Sequence, residues 1–164
     1  MLVEKSSDIF RLQNSTIHGN GIFATKIIET GEVICILKGT VVIDAHIIDG
    51  VPCQWPNTIG VAPEVWISPE LPLSDMNHSC DPNAYFNDNF ELIASKPIAI
   101  GDEITFDYST TECDPNWSMD CSCKSRNCRK TLLPIQDAFD DAPKATRLML
   151  DVWLRAHKRL KVTA

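Results

Sequence analysis

Apolar residues along this chain come in short runs broken by turn residues, a spacing that predicts strands rather than long helices. Residues 8–12 (DIFRL), 22–28 (IFATKII), 32–37 (EVICIL), 41–43, 64–68 (EVWIS), 84–86, 90–95 (FELIAS) and 103–108 (EITFDY) are rich in branched and aromatic side chains and read as strands. HGNG, ETGE, LKGT, NDN and AIGDE punctuate them as turns, with NDN the loop of a hairpin. Along 103–108 a two-residue period places Glu103, Thr105 and Asp107 on one face and Ile104, Phe106 and Tyr108 on the other. KIIETGEVI (26–34) and KPIAIGDEI (96–104) share a strand–turn–strand pattern with an acid after the glycine, which reads as common turn chemistry. Residues 111–131 hold few aliphatic side chains and need a staple to stay folded. Past Pro134 the period becomes helical: Leu148, Met149, Val152, Trp153, Ala156 and Leu160 share a face, and Asp140 or Asp141 with Pro143 marks a start. That face is expected to dock on the domain.

The 164 residues suit one domain with a real core, and an apolar share of 44% is ordinary for a globular chain. No apolar run approaches the roughly 18 residues of a membrane span, and MLVEKSSDIF lacks a basic start followed by an apolar stretch. An intracellular protein without a membrane partner is expected. The formal net charge of −7 disfavours direct binding to a phosphate backbone and favours a basic partner such as a lysine-rich peptide. Seven cysteines, an odd number without a secretory signal, point to metal binding before disulfides.

DCSCKSRNC supplies Cys121, Cys123 and Cys128 on one short loop. A closed structural zinc site wants four ligands. The fourth has candidates in Cys35, Cys53, Cys80, Cys113 and the histidines, and Cys80, in the polar stretch NHSCDPN, is the attractive one. Cys35, in EVICIL, reads as a core thiol. HGNGIFA sets Gly19 and Gly21 ahead of a strand, where glycines permit close backbone approach to a ligand. The third glycine and following helix of a dinucleotide-binding loop are missing.

Taken in order, HGNGIFA, NHSCDPN, EITFDY and C-x-C-x-x-x-x-C resemble the SET-domain protein-lysine N-methyltransferases with a post-SET zinc segment, over roughly residues 8–133. The resemblance implies a mostly β fold of small curled sheets with a C-terminal pseudoknot and a zinc-stapled post-SET loop. With the helical stretch added, the chain divides into a SET domain (1–109), a post-SET segment (110–133) and a C-terminal helical extension (134–164). The implied activity is methylation of a lysine ε-amino group by S-adenosylmethionine, on a basic or histone-like protein. A catalytically silent SET module that binds a peptide is the alternative, and methylation of a small amine is a third reading.

By resemblance, Gly19, Asn20, Gly21 and Ile22, the Asn77–His78 pair, Tyr108 and the apolar Leu132 (with Leu133 as fallback) hold the cofactor, His78 in a structural role. Tyr108 is the hydroxyl of the catalytic site. Phe106, two residues before it, governs product state and implies competence beyond monomethylation. Cys80, Cys121, Cys123 and Cys128 share one structural zinc ion. Leu37 stands where the family often has a tyrosine, so that hydroxyl is missing or comes from Tyr85. Trp55 and Trp66 are expected in the core.

Overall fold

The computed structural model describes residues 8–43, 47–48, 51–52, 57–62, 65–87, 89–112 and 117–134. The helix expected beyond Pro134 lies outside these residues, as do Cys53, Trp55 and Cys113. The strands are β1 (Phe10–Asn14), β2 (Asn20–Ala24), β3 (Val33–Ile36), β4 (Gly39–Ile43), β5 (Ile47–Ile48), β6 (Val51–Pro52), β7 (Ile59–Ala62), β8 (Val65–Pro69), β9 (Ala84–Phe86), β10 (Glu91–Ala94), β11 (Glu103–Ile104), β12 (Met119–Asp120) and β13 (Thr131–Leu132). Strands this short cannot build one broad sheet. They pair as β1-β2-β11, β3-β10-β9, β4-β8-β7, β5-β6 and β12-β13, all antiparallel.

Alternation explains which side chains go inside. Along β10, Leu92 and Ala94 are buried while Glu91 and Ile93 are half-buried. From β2, Ile22 and Ala24 join them, and Phe10, Ile28, Ile34, Leu37, Ile98, Ile104 and Phe106 complete one core. Each fully buried aliphatic side chain contributes roughly 1.5–3 kcal/mol. The loop between β9 and β10 is tied by Asn87, whose Oδ1 accepts from the N–H groups of Asn89 (2.9 Å) and Glu91 (3.0 Å). That is the hairpin expected at NDN.

The two echoing segments face each other. Ile28 and Ile98 exchange both backbone hydrogen bonds, at 3.0 and 2.9 Å. Gly31 and Gly101 sit at φ 85° and 86°, and the acid after each caps its own turn. Glu32 Oε2 accepts from Glu29 N–H and Asp102 Oδ2 from Ala99 N–H. Shared turn chemistry accounts for the echo, and the pairing of the two turns is what the structure adds.

The expectation of one strand over 103–108 needs correction. β11 ends at Ile104, Phe106 makes an isolated parallel bridge to His78, and Tyr108–Thr110 coil into a 3-10 turn. Asp107 caps that turn, its side chain accepting from Ser109 N–H. Thr105 and Asp107 are as buried as Ile104 and Phe106. A one-sided alternation fails because both sides of this segment are covered, one by the core and one by residues 77–80 and the cysteine loop. The 22–28 run likewise splits, β2 ending at Ala24 and Ile28 joining the turn pair.

Candidate active site and cysteine cluster

The G-x-G turn is held from behind. Asn77 Nδ2 donates to His18 O (3.1 Å), Asn20 O (2.7 Å) and Glu103 Oε1 (2.8 Å), sharing two protons among three acceptors. Glu103 Oε2 accepts from Ser15 Oγ at 2.8 Å. A Cβ on Gly21 would lie 2.2 Å from Glu103 Oε1 and 3.1 Å from Asn77 Nδ2. Gly21 therefore leaves room for the Glu103 carboxylate, a reason different from the ligand approach expected from the sequence. Gly19, at φ 47°, has open space where its Cβ would be. The Ile22 side chain is core, so only its backbone is available to a ligand.

The segment carrying Tyr108 threads beside residues 77–79. Phe106 N–H donates to Asn77 O (3.3 Å) and Ser79 N–H to Phe106 O (3.1 Å). This is the passage that the implied pseudoknot requires. Asn83 stands in for a missing strand partner: its Nδ2 donates to Glu103 O and its Oδ1 accepts from Thr105 N–H. The Tyr108 hydroxyl donates to Met76 O at 2.7 Å. Phe106 packs between Phe86 (5.4 Å between ring centres) and Tyr108 (5.0 Å), and His78 stands edge-on to Tyr108. Burial pushes the Tyr108 phenol up to about 12, and the charges of Glu103 and Asp75 push the same way. It stays protonated at neutral pH and is no general base. Leu37 is a core side chain. Tyr85 alternates with Phe86 along β9, so it faces away from the side where Phe86 meets Phe106.

Three of the four predicted metal ligands converge, together with His78. The ligand atoms of His78, Cys80, Cys121 and Cys123 all lie within 4.8 Å of one another. Cys80 Sγ is 3.7 Å from Cys121 Sγ, close to the roughly 3.8 Å between sulfurs on a tetrahedral zinc with Zn–S bonds of about 2.3 Å. Cys128 packs against the same cluster, its Sγ 3.6 Å from Cys121 O. Burial opposes ionisation of Cys123, but the Ser125 hydroxyl and the Cys80 N–H outweigh it and bring that thiol down to about 6. The donor set fits zinc.

His78 Nε2 belongs to the cluster, while Nδ1 faces the Tyr108 N–H and, at 3.5 Å, Asp107 Oδ1. Tyr108 N–H donates to Nδ1 at 3.2 Å, so Nδ1 spends its lone pair there. Burial lowers the ring's pKa to about 4, so the imidazole is neutral, and with Nδ1 accepting from Tyr108 its proton would sit on Nε2. That N–H points at Cys80 Sγ, 3.2 Å away, and can donate to the sulfur without ligating a metal. The His78 imidazole, within the cluster, and the Cys128 thiol, packed against it, are the two candidates for the fourth position.

The loop is tied to the active-site strand by a buried ion pair. Asp107, 0% exposed, accepts from Arg129 Nη2. Arg129 N–H also donates to Cys80 Sγ at 3.3 Å. Lys124 Nζ donates to Thr16 O at 2.7 Å, clasping the stretch ahead of the G-x-G turn. Leu132, 0% exposed, seals the cluster with Cys80, Cys123 and Tyr108, whereas Leu133 is 40% exposed.

A family model described as "SET domain" matches residues 19–109, more than half of the chain. The chain belongs to the SET-domain family. This SET domain is 41% identical over 64 residues to "Methyltransferase flvH" of Aspergillus flavus, covering 37% of this chain and 36% of that protein. It is 23% identical over 148 residues to human "Histone-lysine N-methyltransferase 2B", covering 80% of this chain and 5% of that protein. Among solved structures, a complex of KRYPTONITE with mCHG DNA and SAH superposes with a TM-score of 0.57 at 23% identity, over 75% of this chain and 29% of that one. That likeness supports the fold. The SET domain described here spans well under two thirds of the length of these relatives.

Around the site, Ser15, Asn83, Glu103, Asp107 and Arg129 escaped sequence reasoning as site residues. For Glu103 and Asp107 a signal existed, since both lie inside EITFDY. Arg129 follows the last cysteine directly, and only its partner across 22 residues gives it meaning.

Proposed function

We propose that the chain is an S-adenosylmethionine-dependent protein-lysine methyltransferase whose post-SET loop is closed by one zinc ion on Cys80, Cys121, Cys123 and Cys128. The observation that carries this reading is the placement of the Tyr108 hydroxyl. It is anchored on Met76 O, on the segment whose Asn77 pins the G-x-G turn. S-adenosylmethionine, when bound, supplies an electrophilic methyl on a cationic sulfonium. The zinc ion supplies a cross-link for a loop that buries little apolar surface.

The backbone of residues 19–22, with Asn77 behind it, would hold the cofactor. Phe86 and Phe106 stack beside Tyr108, so an amine brought to its hydroxyl would meet apolar rings. Such rings disfavour the charged form of an incoming lysine, whose ordinary pKa is about 10.4, and so favour the free amine that attacks. Tyr108 donates its hydrogen bond to Met76 O and keeps its oxygen lone pairs for the reacting groups. Phe106 adds no hydroxyl that would hold the amine in one orientation, which favours products beyond monomethyl-lysine.

The net charge of −7 fits a basic, histone-like substrate. Several relatives carry histone-lysine methyltransferase names, and KRYPTONITE has been solved with an H3(1-15) peptide and SAH. No helix among the described residues is long and apolar enough to cross a membrane. Incubation with methyl-labelled cofactor and a panel of basic proteins, read by peptide mass spectrometry, tests the proposal. Labelled lysine carrying two or three methyl groups is expected. Cofactor binding without transfer to any protein would favour methylation of a small amine, and no cofactor binding would leave the silent module, the reading that Leu37 favours by bringing no hydroxyl.

A further inference from the structure

Glu103 is a half-buried acid whose two oxygens are both occupied by neutral donors, Ser15 Oγ and Asn77 Nδ2. Both oxygens accept hydrogen bonds. Among the described residues no Lys, Arg or His forms an ion pair with it; the basic partners there serve Glu32, Asp81 and Asp107. The carboxylate fills the space that Gly21 leaves and lies directly behind the turn. Its field reaches Tyr108, as does that of Asp75. An acid without a cationic partner thus stands against the turn that would carry the ligand.

We propose that Glu103 is the counter-charge for the sulfonium, making this pocket prefer S-adenosylmethionine to its neutral product S-adenosylhomocysteine. This rests on the methyltransferase reading above. On transfer, the S–CH3 bond breaks, the N–CH3 bond forms and the positive charge leaves sulfur for nitrogen. The amino-acid and nucleoside ends of the two ligands are the same, so their affinity ratio isolates the charge on sulfur. A pocket that loses its attraction when that charge departs also favours release of the spent ligand.

The test is calorimetric titration of wild type, Glu103→Gln, Glu103→Asp and Ser15→Ala with each ligand. Gln keeps the shape and both hydrogen bonds, accepting from Asn77 and donating to Ser15. The expected result is that Glu103→Gln lowers the affinity ratio roughly three- to thirtyfold. Ser15→Ala removes one hydrogen bond and keeps the charge, so it weakens both ligands alike. Wild type binding neither ligand sinks the methyltransferase reading itself. Wild type binding both, with the ratio unchanged in Glu103→Gln, overturns the counter-charge role alone. If the Gln variant does not fold, Glu103→Asp, which draws the charge back by one methylene, decides: a reduced affinity ratio supports the proposal and an unchanged one overturns it.

Discussion

Gly21→Ala is the most direct test of how the turn is built. The added Cβ would lie 2.2 Å from Glu103 Oε1 and 2.9 Å from its Cδ, so the carboxylate or the turn must move by more than an ångström. Gly21 has no positive φ, so the backbone itself admits alanine. If the carboxylate moves, it gives up hydrogen bonds from Ser15 and Asn77. Bonds to charged groups contribute about 1.5–3 kcal/mol each, and overpacking costs about 1–3 kcal/mol. Water recovers part of the loss at a half-buried site, leaving about 2–4 kcal/mol. For a chain of this size that is a fall in Tm of roughly 5–15 °C. Thermal melting and calorimetry with S-adenosylmethionine read the two consequences, lower stability and weaker binding. Glu103→Ala in the same chain removes the clash, so the second alanine should cost almost nothing once the first is present. A Gly21→Ala protein melting within about 2 °C of wild type, or losses that simply add in the double variant, would refute the account.

Three further outcomes are expected. Cys123→Ser should abolish stoichiometric zinc, measured by metal analysis, and expose residues 117–132 to hydrogen exchange, since the loop has little else to hold it. Arg129→Met should destabilise by about 3–5 kcal/mol in denaturant titration, because it strands the buried Asp107 charge, and Asp107→Asn in the same chain should recover part of that. Tyr108→Phe should abolish transfer while sparing the fold. It should also flatten an alkaline slope: the phenol ionises near 10 when unfolded and near 12 when folded, so about 2–3 kcal/mol of stability present below pH 10 is lost as pH rises to 12.

Local patterns named much of this site. NHSCDPN, EITFDY and the spaced cysteines carried the family, and short branched runs announced small antiparallel sheets. The echo of KIIETGEVI in KPIAIGDEI reported the turn chemistry correctly, because a positive-φ glycine followed by a capping acid is a local matter. EITFDY misled where it was read by period, since a segment covered on both sides has no solvent face to alternate against. The β12–β13 pair was invisible because two-residue strands flanked by cysteines carry no pattern at all.

The sequence by itself determined which chemistry is present: the thiols, the phenol, the G-x-G turn and the acid balance, each a property of residue type and near spacing. Tertiary structure alone decided what each group is for. Gly21 is glycine because Glu103, from another strand, fills its missing side chain. His78 turns its Nε2 to the Cys80 sulfur because Tyr108, thirty residues on, donates to its Nδ1. Arg129 matters because the chain folds back to bring Asp107 against it. Hydrogen-bond direction and charge compensation depend on atoms a few ångströms apart in space, and chain order does not record that distance.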